Sequence, residues 1–449
     1  MVGAVPLVPR VVVAAPSSGA GKTTVATGLM AALAARGHHV APFKVGPDYI
    51  DPGFHALATG RPGRNLDVHL CGEDLVAPLL AHGSAGAHIA VVEGVMGLFD
   101  GRGGGRHAST AHVATLLGAP VLLVVDARGM SGSVAALVHG FAAHDPAVTV
   151  AGVVLNNVGS DVHEAMLRRA LEPVGVPVLG AVRRSDLLAL PSRHLGLVPV
   201  AERAAEARAA VDAMGAVVAR SVDLAAVMAV ARAAAEVAAV PWAPAARRVD
   251  HPSPVAVMTG PAFGFVYAEH LELLAATGAD VVPIGQDDEA LPEGLGALYV
   301  PGGFPEVHAG QLAANAALRT AVAAFARSGG TVLAECGGLL WLVRDLDGRP
   351  MCGALPASGR MTDRLTLGYR DAVVASAGTP AGAPGDEVRA HEFHYATVEP
   401  AAGAHPAWRI GDRYEGFVAG GVHASFLHSH WAATPAVATK LAAAGRRAA

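Results

Sequence analysis

Short apolar runs alternate with longer amphipathic segments from the start of the chain. In the first half, runs of strand length cover residues 11–15, 40–45, 89–92, 121–125 and 150–155. Residues 22–36, which lie between the first two runs, are predicted to form a helix. Because strands that are apolar along their whole length are buried on both faces, the pattern predicts a parallel sheet wrapped by helices.

The same alternation starts again after residue 254. Strands are predicted at residues 255–258, 298–300 and 331–334, and helices at residues 267–277 and 311–327. The Pro-rich stretch that precedes them, VPWAPAARRVDHPSP, has the composition of a linker. We therefore predict two α/β domains, residues 1–240 and 254–449, joined by a linker over residues 241–253.

Composition narrows the classes of function. Of the 449 residues, 52% are apolar and 16% are charged, which allows two large cores and argues against disorder. The net charge is −5 without a basic block, so nucleic-acid binding is not expected. No segment of about 20 residues is apolar enough to span a membrane, and the N-terminus lacks a signal-peptide pattern. Because the cysteines, Cys71, Cys336 and Cys352, do not form a disulfide framework, we expect a soluble protein of the reducing cytoplasm.

The segment SSGAGKTT follows the first predicted strand and opens the first predicted helix. Gly19 and Gly21 allow backbone N–H groups to face phosphates, and Lys22 offers a positive charge to the β- and γ-phosphates. The hydroxyl of Thr23 is a candidate ligand for Mg²⁺, and Thr24 completes the motif. The motif therefore predicts a binding site for ATP and Mg²⁺.

Acidic and amide side chains follow other predicted strands at the same edge of the sheet, where open α/β sheets bind ligands. Asp48, in KVGPDYIDP, and Glu93, in VEGVMGLFDG, are candidate ligands for the metal. Asp51 and Asp100 either position a substrate or a second ion, or are solvated loop residues. Asn156 either binds the edge of the adenine or caps the end of its strand.

A second reactive segment, AECGGL, follows the predicted strand at residues 331–334. In a strand–turn–helix arrangement Cys336 would be an exposed nucleophile, and the N-terminus of the helix would favour the thiolate. The N–H groups of Gly337 and of Gly303, in PGGFPE, could together stabilise an oxyanion. A buried structural thiol is the alternative for Cys336, and it is the expected state of the other two cysteines.

The base that such a thiol requires is expected far downstream in the sequence. The segment FLHSH provides His428 at a predicted strand end and His430 two residues later. Either His430 orients His428, or the cysteine and His428 act as a dyad.

Taken together, these motifs resemble those of the cobyrinate and hydrogenobyrinate a,c-diamide synthases of cobalamin biosynthesis. The resemblance covers nearly the whole chain and rests on SSGAGKTT, KVGPDYIDP, VEGVMGLFDG, LPSRHLGLVP, PGGFPE, AECGGL, EFHY and FLHSH. The first half is similar to dethiobiotin synthetase, whose phosphate loop is a variant, so Pro16 in place of the usual first glycine fits. The second half resembles the flavodoxin-like sheet of class I glutamine amidotransferases. Their usual third residue is a carboxylate where His430 stands.

The resemblance implies an ATP- and glutamine-dependent ligase that amidates the a- and c-side-chain carboxylates of hydrogenobyrinate or cobyrinate. ATP and Mg²⁺ would convert each carboxylate to an acyl phosphate, which ammonia released from glutamine would attack. Glutamine and the macrocycle would be small-molecule substrates. Arg193 and His194, in LPSRHLGLVP, either contact an anionic group of the substrate or form a turn.

Three alternatives remain at this point. Two are amidation of another tetrapyrrole, of the cobyric acid synthase or the nickel-sirohydrochlorin diamide synthase type, and KVGPDYIDP favours the a,c-diamide enzymes over cobyric acid synthase. The third is a P-loop switch ATPase, which would have a signature lysine where Ser17 stands and no use for the cysteine turn. The sequence leaves open whether the macrocycle carries cobalt and whether the chain acts alone or as a homodimer.

Overall fold

The computed structural model describes residues 3–184 and 200–445, together with the backbone of residues 192–193 and 196–197. The chain divides into two compact units, Met1–Ala243 and Pro244–Ala449, and each is described by itself. Among the described residues, no helix combines the length and the apolar character needed to cross a membrane.

The first unit is built on a seven-stranded sheet in which all neighbouring strands are parallel. The strands of this unit are β1 (Val5–Pro6), β2 (Arg10–Ala14), β3 (Val40–Val45), β4 (Arg64–Leu66), β5 (Ile89–Glu93), β6 (Val121–Asp126), β7 (Val150–Val158), β8 (Val178–Arg183), β9 (Ser192–Arg193), β10 (Gly196–Leu197) and β11 (Ala238–Ala239). The sheet has the order β4-β3-β5-β2-β6-β7-β8, while β1 pairs with β11 and β9 with β10. Strand β2 is therefore central, and the turn that follows it lies at the middle of the sheet edge.

Helices surround this sheet. They are α1 (Lys22–Ala35), α2 (Asp51–Thr59), α3 (Val68–Cys71), α4 (Glu73–Gly83), α5 (Thr110–Leu116), α6 (Ser133–Ala143), α7 (Asp161–Leu171), α8 (Ala204–Ser221) and α9 (Leu224–Arg232). Short 3₁₀ turns occur at Arg102–Gly104, Glu172–Val174 and Val200–Glu202. Leu29 and Leu33 of α1 are buried in one core with Val218 of α8 and the apolar strands, because the helix presents these side chains to the sheet.

The second unit contains two sheets. Its strands are β12 (Val255–Thr259), β13 (Val281–Gly285), β14 (Ala297–Val300), β15 (Thr331–Glu335), β16 (Asp345–Leu346), β17 (Arg349–Pro350), β18 (Ser358–Val374), β19 (Glu387–Glu399), β20 (Trp408–Ile410), β21 (Arg413–Glu415), β22 (Phe417–Ala419), β23 (Val422–Ser425) and β24 (His428–Ser429). The first sheet has the order β13-β12-β14-β15-β23-β22 and is parallel except for its last pair. The second is built around the long antiparallel pair β18 and β19, with β24 added at its edge.

The helices of the second unit are α10 (Ala268–Ala276), α11 (Ala309–Ala314), α12 (Ala316–Arg327), α13 (Gly337–Leu342) and α14 (Ala436–Ala442). Helix α13 is buried along its whole length and begins where β15 ends. Trp341 of this helix packs with Phe263 in the main core of the unit. The parallel sheet therefore places the AECGGL turn at the carboxyl edge of a central strand.

The predicted α/β class with two domains is confirmed, and so is the parallel sheet of the first domain. The prediction of a single helix over residues 311–327 is wrong, because Asn315 separates α11 from α12. Its side chain accepts the backbone N–H of Leu318 and caps α12, a role that asparagine fills well at a helix start. The long β18–β19 pair was not predicted.

Candidate functional site

The turn between β2 and α1 depends on two glycines in the left-handed region, Gly19 (φ 80°) and Gly21 (φ 95°). A Cβ atom on Gly21 would lie 2.1 Å from Nδ2 of Asn156. That amide donates to the carbonyl of Ala20 at 3.0 Å, so the end of β7 fixes the turn. Position 21 therefore requires glycine both for its backbone angle and for lack of space.

Lys22 is the first residue of α1 and is buried. Its ammonium donates to the carbonyl of Met96 at 2.5 Å and to that of Ser17 at 3.3 Å. Burial, and then the nearby charge of Lys44, lower the pKa of Lys22 to about 8. The turn itself contains no acidic residue, and backbone carbonyls hold the ammonium of Lys22.

A buried cluster of charged groups lies beside this turn. The hydroxyl of Thr23 donates to Oε1 of Glu93 at 2.6 Å, and Nζ of Lys44 donates to the same oxygen at 3.0 Å. Lys44 also donates to Oδ2 of Asp51 at 2.5 Å, which lies 3.4 Å from Oγ1 of Thr23. Nε2 of His55 lies 2.6 Å from Oε2 of Glu93. The structure therefore brings together three oxygen-bearing side chains predicted from the sequence.

The surrounding charges shift the pKa values of the two carboxylates of this cluster in opposite directions. Burial disfavours ionised Glu93, but Lys44 and the hydrogen bond from His55 outweigh it and hold the pKa of Glu93 well below its usual range. Burial disfavours charged Lys44 too, yet Asp51 and Glu93 raise its pKa above the usual value. Burial, then the charges of Asp48 and Glu93, raise the pKa of Asp51 well above its usual range. Asp51 is thus the carboxylate of the cluster that takes up a proton most readily.

The other predicted residues lie around the cluster. One oxygen of Asp48 accepts the N–H groups of Ile50 and Asp51, at 2.7 and 3.0 Å, in the turn that leads into α2. Asp100 is exposed and accepts the N–H of Gly97 at 2.9 Å. Thr24 is half-buried on α1. The side chain of Arg193 and the whole of His194 lie outside the described residues.

Sequence reasoning assigned no role to Lys44 or His55. Lys44 is a charged residue near the end of a buried strand, and it pairs in register with Glu93 of the neighbouring strand. His55 follows Asp51 by one turn of α2, so both side chains leave the same face of that helix. A cation near a buried strand end and an i, i+4 pair of titratable residues were the available signals.

In the second unit, Cys336 stands between β15 and α13 with φ 48° and ψ −101°. A non-glycine residue in this region carries backbone strain of about 1–3 kcal/mol. Its N–H donates to the carbonyl of Ser425 at 2.7 Å, and its sulfur lies 3.8 Å from the carbonyl oxygen of Phe393. The turn is thus held by the neighbouring strand β23. The prediction of an exposed thiol is wrong: only 5% of Cys336 is accessible, because the turn is packed against Ser425 and Phe393.

Glycines crowd around the thiol turn. A Cβ atom on Gly337 would lie 2.9 Å from the nitrogen of Gly303, and one on Gly303 would lie 2.1 Å from the carbonyl of Ala262. A Cβ atom on Gly302 would lie 2.4 Å from Cε1 of His428. The PGGFPE loop therefore packs against both the cysteine turn and the imidazole, with space for glycine only.

His428 is buried on β24, and its Nδ1 lies 3.8 Å from Oε2 of Glu335. Burial alone would lower the pKa of His428, but Cys336 and then Glu335 outweigh burial and raise it to about 10. His430 lies elsewhere in the cluster of rings: its Nε2 is 3.6 Å from Oε2 of Glu269, and its ring centroid is 4.4 Å from that of Tyr267. The predicted thiol therefore interacts with an imidazole whose charged form is favoured.

Comparison with known proteins finds a different matching family model for each of the two units. Residues 11–198 match the CobQ/CobB/MinD/ParA nucleotide binding domain, and residues 254–436 match the CobB/CobQ-like glutamine amidotransferase domain. Hydrogenobyrinate a,c-diamide synthase of Streptomyces coelicolor is 57% identical to this chain, and the alignment covers 96% of each of the two chains. The enzyme of that name from Mycobacterium tuberculosis H37Rv is 55% identical, over 97% of this chain and 98% of its own. Cobyrinate a,c-diamide synthase of Gloeobacter violaceus is 44% identical, over 94% and 93%. With such identities over nearly the full length of both chains, this chain belongs to the hydrogenobyrinate and cobyrinate a,c-diamide synthase family.

Proposed function

We propose that the chain uses ATP and glutamine to amidate the a- and c-side-chain carboxylates of a corrin-type macrocycle, with hydrogenobyrinate as the preferred substrate. The observation that carries the proposal is that a phosphate turn and a thiol–imidazole pair occur on one chain of this family. Of the relatives compared above, the two named for hydrogenobyrinate are 57% and 55% identical to this chain, and the one named for cobyrinate is 44% identical. The metal-free macrocycle is therefore the first substrate to test.

In the nucleotide-binding unit, the backbone at Gly19 and Gly21 and the ammonium of Lys22 would contact the phosphates of ATP, with Thr24 at the start of α1 beside them. For Asn156 we favour a role in holding the turn over contact with the adenine, because its amide already donates to Ala20. Lys22 would compensate the charge that develops as the γ-phosphoryl group moves to a substrate carboxylate.

The oxygens of Thr23, Glu93 and Asp51 fit Mg²⁺, which prefers oxygen ligands and often keeps water molecules in its shell. Asp48 would take part through such a water, because one of its oxygens already accepts two backbone N–H groups. When bound, Mg²⁺ supplies charge neutralisation on the phosphates. Asp100, which is exposed, stays our candidate for positioning the macrocycle, whereas Asp51 is better placed for the metal.

In the amidotransferase unit, the sulfur of Cys336 would attack the amide carbon of glutamine and form a thioester. The thiol proton would pass to His428, which then protonates the leaving nitrogen as ammonia. The N–H groups of Gly303 and Gly337 would stabilise the oxyanion. Water would then hydrolyse the thioester, which releases glutamate and restores the thiol. Ammonia would attack the acyl phosphate, and phosphate would leave as the amide forms. Because the reaction needs ATP and a reduced thiol, we propose a cytoplasmic location.

The test is an incubation with glutamine labelled with ¹⁵N at the side-chain amide, ATP, Mg²⁺ and either hydrogenobyrinate or cobyrinate. We expect a product with two labelled amides at positions a and c, formed faster from hydrogenobyrinate, and none without ATP. Tandem mass spectrometry and NMR locate the label. Label at other side chains would favour a cobyric acid synthase, and ATP hydrolysis without amidation would favour a switch ATPase.

A further inference from the structure

The contacts of the two ring nitrogens of His430 lead to residues other than His428. The backbone N–H of Ala432 donates to Nδ1 of His430 at 3.3 Å, so the ring proton lies on Nε2. That nitrogen lies 3.6 Å from a carboxylate oxygen of Glu269 on α10. Both ring nitrogens of His430 therefore have partners other than His428.

A different carboxylate lies next to His428. Oε2 of Glu335 is 3.8 Å from Nδ1 of His428, and Glu335 is the residue directly before Cys336. A separation of 3.8 Å is that of an ion pair, and catalytic contacts of this kind commonly shorten when substrate binds. From this geometry, and resting on the proposed function, we infer that Glu335 is the positioning residue of the thiol–imidazole pair and completes a Cys336–His428–Glu335 triad.

The carboxylate of Glu335 is itself held from two strands. The hydroxyl of Tyr299, on β14, donates to Oε2 at 2.9 Å. Ser429, on β24, donates its backbone N–H to Oε1 at 3.3 Å and its hydroxyl at 3.4 Å. Only 4% of Glu335 is exposed, so these donors are what make an ionised carboxylate tolerable at this position. They also fix the oxygen that faces the imidazole.

The surroundings of Glu335 contain further titratable groups. His270 on α10 lies behind Tyr299, with its Nδ1 3.3 Å from the tyrosine hydroxyl, and burial lowers its pKa well below the usual value. His423 on β23 shares a small cavity with Glu335, and burial lowers its pKa to about 4. Burial thus disfavours the charged form of both rings, and Glu335 is the carboxyl group that faces His428.

The arrangement supplies the same chemistry from a different strand. In amidotransferases with the usual triad, the acid follows the histidine by two residues, whereas here it precedes the nucleophile at the end of β15. With Nδ1 facing Glu335, Nε2 of His428 is left to exchange a proton with the sulfur. As the C–N bond of glutamine breaks, that proton leaves with the nitrogen, and the charge of Glu335 stabilises the imidazolium that forms in between.

The experiment compares wild type with Glu335→Gln, which keeps the shape and removes the charge. For glutamate release during turnover with macrocycle, ATP and Mg²⁺, we expect kcat to fall about 100-fold, with KM within about twofold. The rate of Cys336 alkylation by iodoacetamide, followed against pH, should shift to higher pH because the imidazolium–thiolate pair weakens. Amidation supported by ammonium chloride should stay at the wild-type rate, which also establishes that the variant is folded.

Two further variants keep the test decisive. Glu269→Gln removes the buried carboxylate beside His430 and should leave kcat and the alkylation profile unchanged. Tyr299→Phe removes one donor to Glu335 and should lower kcat by about 3- to 10-fold with a smaller shift in the same direction, so it carries the test if Glu335→Gln does not fold.

An unchanged kcat and alkylation profile in folded Glu335→Gln or Tyr299→Phe would overturn the inference. A loss of activity in Glu269→Gln alone would assign the orienting role to His430. If wild type releases no glutamate at all, the proposed function fails instead, so the two failures are distinguishable.

Discussion

Both units place a residue with a positive φ angle between the end of a central parallel strand and the first turn of a helix, but the two residues have different roles. In the nucleotide-binding unit that residue is Gly21, and the charged group is Lys22, one position later on α1. In the amidotransferase unit it is Cys336 itself, with Gly337 following on α13.

The difference reflects what each turn must present. Phosphates are bound by backbone N–H groups, so the strained position can be glycine, and a close neighbour, Asn156, excludes anything larger. A nucleophile must have a reactive side chain, so glycine at position 336 would relieve the backbone strain but remove the thiol. Strain at Cys336 is therefore maintained by the surrounding contacts, among them the hydrogen bond from its N–H to Ser425.

The largest expected effects separate the two turns by their reactions. Cys336→Ala should lower glutamine-dependent amidation by about 1,000-fold or more while ammonia-dependent amidation continues, because only the thioester step is lost. Lys22→Ala should abolish amidation from either nitrogen source and keep some glutamate release, because the acyl phosphate no longer forms. Steady-state assays with glutamine or ammonium chloride measure both. If Cys336→Ala also loses ammonia-dependent amidation with an intact fold, the thiol is not confined to glutamine hydrolysis.

The next effect sharpens the difference at the glycine turn. Gly21→Ala should weaken the affinity for Mg·ATP by about 3 kcal/mol, or about 100-fold, because alanine is strained at φ 95° and its Cβ meets Asn156. Calorimetric titration measures the change.

Gly37 is the matched control for this variant. It is also left-handed, at φ 84°, and follows the other end of α1, where a Cβ atom would have nothing within 4 Å. Gly37→Ala should cost about 1 kcal/mol of stability and leave nucleotide affinity unchanged. Equal affinities for Gly21→Ala and wild type would mean that the turn does not cradle phosphate.

How far the sequence predicts these sites depends on how local each signal is. The turns at Lys22 and Cys336 could be predicted because strand, glycine and helix follow one another in the chain. The ion pair of Lys44 with Glu93 could not, because it depends on β3 lying next to β5, which the order β4-β3-β5-β2 sets only on folding. The contact of Glu335 with His428 likewise joins strands far apart in sequence, so the acid next to Cys336 gave no sign of its partner.

A medium effect concerns pH at the nucleotide turn, where the cation has a lowered pKa. Lys22, with a pKa of about 8 before nucleotide binds, is mostly charged at pH 7 and mostly neutral at pH 9. Because phosphates bind the charged form, affinity for ATP should fall about tenfold between these pH values. Titration of wild type and Lys22→Met over this range measures the effect, since the variant should bind weakly with a flat profile. A flat wild-type profile would contradict the lowered pKa.

The smallest effect tests the strain at Cys336 directly, by comparing two inactive variants. Glycine is the residue best suited to φ 48° and ψ −101°, angles close to the first central position of a type II′ turn, whereas alanine keeps the Cβ and the strain. Glycine also makes the unfolded chain more flexible, which offsets part of the gain. We therefore expect Cys336→Gly to be more stable than Cys336→Ala by about 1 kcal/mol in urea unfolding. If the alanine variant is the more stable, the backbone at position 336 is not strained, and the two turns differ only in the side chain they carry.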